Sequence, residues 1–406
     1  METRFNFIGS IRLPKEDSTR PFVKESSFTR KKNGSEETVP TLSLNFGVKE
    51  DEANIAFVSL FASKDKREIM TANKDGEKIS VAWEDRMNKD VIDMIAPYRL
   101  LTVDLSDPVQ KSELRNAIYA DNYEGTKEKY GVASKEAAET MLKALGEERK
   151  QFLTSYDFIE YVREVIPTYQ GKVEVTGRMK KRFYNGKYAT DFEVTGIYAR
   201  AESDKNKLSL TMDFFYNKDC VDKTELEDKK RVYITGYVSQ YINSTEKNKF
   251  IPQKVIFDFS KYNMENPIHK SRYDYRMSYV DIDSTEYVHM NWDVRYINGA
   301  DTVAFSEDML TPAQKQQIEL GIKELKDFKP RGNIYGERIE EYRLVDPRLM
   351  GEFENGLVST ELMPEEFEEK IYVPNATVNL EEVVAKAEKT ETKKSDFDDL
   401  DVDDLF

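Results

Sequence analysis

Cysteine and histidine are nearly missing from this 406-residue chain: Cys220 is the sole cysteine, and His269 and His289 are the two histidines. A single thiol excludes an intrachain disulfide and a Cys-rich metal cluster. Two imidazoles leave little for histidine-based catalysis or zinc binding. No run approaches the ~20 apolar residues of a membrane span, and Met1-Glu2-Thr3-Arg4 opens no apolar signal segment. A cytosolic protein without membrane contact is therefore expected. A Walker loop, a dinucleotide fingerprint, Gly-x-Ser-x-Gly and His-Glu-x-x-His are also missing, so no cofactor is expected. Nor is there a basic excess. With 61 Lys+Arg against 76 Asp+Glu the net charge is −15, which on its own argues against a phosphate-rich partner.

What is present changes that reading. Hydrophobic residues make up 39% and aromatics 12%, enough for packed cores, and the length suits two or three domains. Charge is unevenly spread. Gly171–Lys261 holds 18 Lys+Arg and 13 Asp+Glu, a net of +5, so the remainder carries −20. Asp396–Phe406 has six Asp and no basic residue. A cationic middle beside an acidic end is a pattern of electrostatic partnership.

Short apolar runs separated by turn residues predict a mainly β protein with helical insertions, an α+β chain built on tandem OB-like β-barrels. The first barrel is expected over 1–106, with strands at Phe5–Leu13, Leu42–Phe46, Ile55–Phe61, Ile79–Trp83 and Tyr98–Leu105. A helical connector is expected over 107–167, where Thr154 caps a stripe of Phe158, Ile159, Val162, Val165 and Ile166 that Pro167 ends. The second barrel is expected over 168–262. Its strands are Val173–Tyr184, a hairpin partner that starts at Lys187-Tyr188 after Asn185-Gly186 and continues over Asp191–Ala201, then Lys207–Tyr216, Arg231–Tyr241 and Phe250–Phe259. Gly9 and Gly177 stand where a coiled strand must bend. Residues 263–350 read as an α+β accessory region with a helix opened by Thr311-Pro312, 351–395 as an acidic linker, and 396–406 as a disordered acidic tail.

One hairpin concentrates Arg178, Lys180, Lys181, Arg182 and Lys187 around Phe183, Tyr184 and Tyr188. Tyr237 and Tyr241 share one face of a later strand. Single-strand binders need this mixture, because cations follow phosphates while aromatic faces stack on any unpaired base. The bland account is a strand core with solvated lysine tips. The tail Ser395–Phe406 alternates Asp with Phe, Leu and Val, too charged to pack but suited to capture by a basic-rimmed pocket. Asp281-x-Asp283-x-x-Glu286 could hold a divalent cation, and without basic or Gly-rich company reads more simply as strand-edge carboxylates. Cys220 has no neighbouring histidine to activate it, and His289 in an alternating run reads as structural.

The tail Asp403-Asp404-Leu405-Phe406 resembles the acidic C-terminal tip of bacterial single-stranded DNA-binding proteins, which ends in acidic residues followed by Ile-Pro-Phe. The overall plan is similar to that of single-stranded DNA-binding proteins of tailed bacteriophages. Leu405 stands where the family has Pro, the tether is Lys/Glu/Thr-based, and the chain is more than twice the usual bacterial length. The resemblance implies a tip that recruits replication, recombination and repair enzymes through Asp403, Asp404 and Phe406, and Leu405 between them is expected to join the partner contact.

The expected protein is thus non-enzymatic. It coats single-stranded DNA without sequence preference, as a monomer or weak self-associator, in the cytoplasm (a host's, if phage-encoded). The alternatives are an RNA-binding or annealing protein, a structural or scaffold β-barrel protein, and a metal-dependent nuclease using Asp281, Asp283 and Glu286.

Overall fold

The computed structural model describes residues 2–373 apart from 16, 33–34, 66, 185, 244–245, 304, 331–333, 349–357 and 361. The acidic tail, with Asp403, Asp404, Leu405 and Phe406, lies outside the described residues. The chain is mostly β, with one large mixed sheet and several helices.

The first strands are β1 (Arg4–Arg12), β2 (Val23–Lys32), β3 (Ser35–Lys49) and β4 (Ile55–Ser63), joined after a long insertion by β5 (Val173–Tyr184) and β6 (Lys187–Ala199). Antiparallel pairings run β1–β3, β3–β4, β5–β6 and β5–β1. A parallel contact, Glu193 with Ser59, joins β6 to β4 and closes the circuit. β2 adds to the edge of β3.

A second circuit repeats the plan. It contains β7 (Lys207–Tyr216), β8 (Arg231–Asn243), β9 (Lys247–Asp258), β10 (Val288–Val303) and β11 (Ile334–Arg348). Its antiparallel pairings are β7–β8, β8–β9, β10–β11 and β10–β7, and Ile256 with Arg343 supplies the parallel closure of β9 on β11. In both circuits the order is first, second, third, fifth, fourth and back to first.

β1 and β7 each divide their length between partners. Residues 4–8 pair with 207–211 of β7, joining the circuits, while residues 10–12 pair with β3. The change falls at Gly9, where a Cβ would lie 2.1 Å from the Lys49 carbonyl oxygen. At Gly177, beside the bulge between Val194 and Gly196, a Cβ would lie 1.9 Å from the Glu193 carbonyl oxygen. Both close approaches are backbone against backbone, so only glycine fits without moving a strand.

Each circuit also places a helix between its third and fourth strands. α1 (Ser155–Val165) starts at Thr154, whose hydroxyl accepts from the Asp157 backbone N–H, and buries Tyr156, Phe158, Ile159 and Val162. At about 1.5–3 kcal/mol for each large apolar side chain, that face outweighs the modest propensity of its β-branched residues. α2 (Pro267–Met277) follows Asn266, which caps it, and leads Met277, Tyr279 and Val280 into the core. One apolar core runs through both circuits. At their seam Phe7 stacks on Phe5 at 4.5 Å and approaches Tyr296 of β10 at 6.0 Å.

The expected strands of 168–262 are present, and so is the hairpin at Gly186, which has φ +76°. They do not close on one another. β5 and β6 complete the first circuit, β7, β8 and β9 begin the second, and 263–350 supplies that circuit's last two strands rather than an accessory region. Alternation assigns each residue to a face but says nothing of which distant strand pairs with which edge. No helix among the described residues is long and apolar enough to cross a membrane.

Candidate nucleic-acid interface

The basic hairpin lines a cleft of about 610 Å³, together with Glu2, Asp191, Glu193, Gln240, Tyr241 and Tyr372. The strand pleat splits its residues. Val173, Val175 and Met179 are buried on one face of β5. Lys181 and Phe183 share that parity, while Arg178, Lys180 and Arg182 take the other. The latter three are each held by a carboxylate: Arg178 by Glu2 at 3.3 Å, Lys180 by Glu193 at 2.7 Å, and Arg182 by Asp191 at 2.9 Å. Lys181 turns inward and donates Nζ to the Pro252 carbonyl at 2.9 Å, and burial pushes its pKa down to about 8. Gln240 stitches this hairpin to the second circuit: it accepts from the Lys181 N–H at 2.7 Å and donates to the Lys181 carbonyl at 3.0 Å.

The aromatic members divide as well. Phe183 is half-exposed and edge-on to Tyr188 at 5.1 Å, and Tyr188 donates its hydroxyl to the Tyr372 carbonyl at 3.2 Å. Tyr241 is exposed. Tyr237 is instead packed edge-on against Tyr287 at 5.8 Å and Phe367 at 5.3 Å, so it offers no free stacking face. Lys187 is exposed and makes no ion pair among the described residues. The side chain of Tyr184 lies outside those described. The cleft therefore gathers many of the expected residues, but most of its cations already have partners.

A second surface is not legible as a site in the sequence. On β4, Ala56, Val58, Leu60 and Ala62 face the core, while Phe57 and Phe61 point outward, 52% and 63% exposed. Four residues of strand separate them by about 13 Å. Across the sheet Phe57 lies opposite Gly47 and then Arg12, and Phe61 lies opposite Ser43 and then Lys24. Small neighbours leave both phenyl rings standing above the sheet. Arg12 and Lys24 are exposed and make no ion pair among the described residues. In the run Ile55–Phe61 only Ser59 is polar, so a single hydroxyl marks the parity that Phe57 and Phe61 share, and that alone does not mark a site.

The remaining candidates hold no comparable geometry. Asp281 is engaged by Lys223, and the described residues contain no group of three or more His, Cys, Asp or Glu able to share a metal ion. Burial pushes the Cys220 thiol upward, away from the reactive thiolate. His289 stacks on Phe215 at 4.4 Å and bonds Asp213 through Nε2 at 3.0 Å. Burial raises the Asp213 pKa, but the bonds from His289 and Asn291 outweigh it and hold the carboxyl below its usual range.

No family model matches this chain, and no curated protein matches it. Among solved structures, a deletion mutant of the single-stranded DNA binding protein from Thermus aquaticus aligns over 73% of this chain and 87% of that chain, at 9% identity and a TM-score of 0.25, too slight a likeness to bear on what this chain does.

Proposed function

We propose that the chain is a non-catalytic, sequence-independent single-stranded DNA-binding protein whose two circuits are OB-type barrels. The strand order with its single parallel closure and the helix between third and fourth strands support the barrel reading. OB barrels bind oligonucleotides on the face of their second and third strands. In the first circuit those strands are β3 and β4. The observation that carries the proposal is the open face there: two exposed phenyl rings flanked by Arg12 and Lys24, which have no carboxylate partner among the described residues. Rings stack on bases regardless of identity, and cations follow the backbone. The neutralised cleft of Arg178, Lys180 and Arg182 has a lesser part, since its carboxylates must first be displaced.

The acidic tail is proposed to recruit replication or recombination enzymes and to compete with DNA for cationic surface. Deleting Asp396–Phe406 is then expected to tighten DNA binding and to abolish recruitment. The direct test is fluorescence anisotropy with a labelled oligo-dT of about thirty nucleotides, long enough for two barrels at roughly 4–16 nucleotides each. It is run across salt concentrations with duplex and matched RNA as competitors. Binding that prefers the single-stranded DNA and weakens with salt is expected, with a slope that counts neutralised phosphates. No binding at low salt overturns the proposal.

A further inference from the structure

After β11 the chain returns across the second circuit. Val358–Ser359 pairs with β10 at Val288 and His289, and a short helix, Pro364–Glu368, follows. That helix carries Phe367, which is fully buried. Its phenyl ring lies parallel to Tyr287 at 3.7 Å and 10° and parallel to Phe250 at 4.1 Å and 12°, with Tyr237 edge-on. Two parallel aromatic faces around one flat ring form a slot for a planar group. Outside it, Glu365, Glu366, Glu368 and Glu369 are exposed and make no ion pair among the described residues. A flat ring with anionic groups on both sides has the layout of a base with its flanking phosphates. Few backbone bonds fasten the segment. The Phe250 N–H donates to the Lys370 carbonyl at 3.0 Å, Tyr372 to Phe250 at 2.9 Å, and Thr360 to Tyr287 at 3.0 Å.

We infer that the slot between Phe250 and Tyr287 is a second base-binding site, held shut by Phe367, and that single-stranded DNA opens it by displacing residues 358–373. The inference rests on the single-strand-binding reading and adds to it a site and a plug. In the plugged state the first circuit binds alone. In the open state the second circuit stacks a base where Phe367 was.

The test compares the full-length parent with Phe367→Ala in oligo-dT anisotropy, with occluded length read from stoichiometric titrations. Phe367→Ala is expected to bind about tenfold tighter, within the range for one stacked base, and to occlude more nucleotides. Adding Tyr287→Ala is expected to remove that gain. A parent that binds while Phe367→Ala leaves affinity and occluded length unchanged overturns the slot and leaves the binding reading standing. Absence of binding in both overturns the two together. Because an emptied slot could impair folding, Phe367→Trp supplies a second readout. Saturating oligo-dT is expected to change the emission of the displaced indole, relative to the parent's Trp83 and Trp292. Unchanged emission at saturation also overturns the slot.

Discussion

The two circuits share a strand order and differ in what covers their outer face. In the first, β3 and β4 present Phe57 and Phe61 to solvent between small residues. In the second, β7, β8 and β9 bring Phe215, Tyr237 and Phe250 together, and Phe367 from the C-terminal segment closes over them. The contrast shows that one backbone plan can carry an aromatic surface in two states, available or occupied. Aromatic content alone therefore does not identify a binding face. On the proposed single-strand-binding reading, the side chains that matter are those with an uncovered ring and a cation free of carboxylates.

The comparison breaks most severely at the seam. Phe7 packs against Phe5, Phe192 and Tyr296, so it belongs to both circuits. Phe7→Ala is expected to cost about 3–5 kcal/mol, read as a lowered denaturant midpoint. If the circuits are one cooperative unit, far-UV circular dichroism and tryptophan fluorescence will report a single shared transition; two separated transitions would show that the seam does not couple them.

Next in size is the open face. Phe57→Ala with Phe61→Ala is expected to weaken oligo-dT binding by about 1–3 kcal/mol for each phenyl ring. Stability should change by no more than roughly 0.5 kcal/mol, because both side chains project into solvent. Full retention of affinity would move the interface to the paired cleft. Smaller still is the charge term. Arg12→Gln is expected to reduce the salt slope by about 0.7, one phosphate's share for a single strand, whereas Arg178→Gln, whose cation Glu2 already holds, should change it less. Equal slopes would remove the distinction between free and paired cations.

A separate effect concerns Lys181. Its native pKa of about 8 lies below that of an exposed lysine because burial disfavours the ammonium. Between pH 8 and about 10 the unfolded chain binds more protons at this residue, so stability is expected to rise with pH across that window. Lys181→Met should flatten the rise in denaturant titrations at successive pH values. An unaltered pH dependence would show that Lys181 is solvated in the native state.

Local features are legible in the residue order. Asn185-Gly186 marks the hairpin of β5 and β6, Thr154 and Thr311 cap their helices, and Gly9 and Gly177 mark two close backbone approaches. The sequence displays Arg178, Lys180 and Arg182 as a cluster but hides the carboxylates of Glu2, Glu193 and Asp191 that hold them. Glu2 meets Arg178 only because β1 pairs with β5 across the whole helical insertion. Phe57 and Phe61 are nearly as hidden, because Ser59 alone marks their parity as the one that faces water.

The β-rich class, the turn and cap positions and the uneven charge follow from residue order, since these depend on neighbours a few residues apart. Which strands close which circuit, which cations are paired with carboxylates, and which phenylalanines remain in solvent follow from the folded arrangement instead. Those outcomes depend on pairings between residues more than a hundred positions apart, such as Phe7 with Val175 and Leu208. Strand pattern constrains the face a side chain takes, but the partner at its edge is selected by the packing of the whole core.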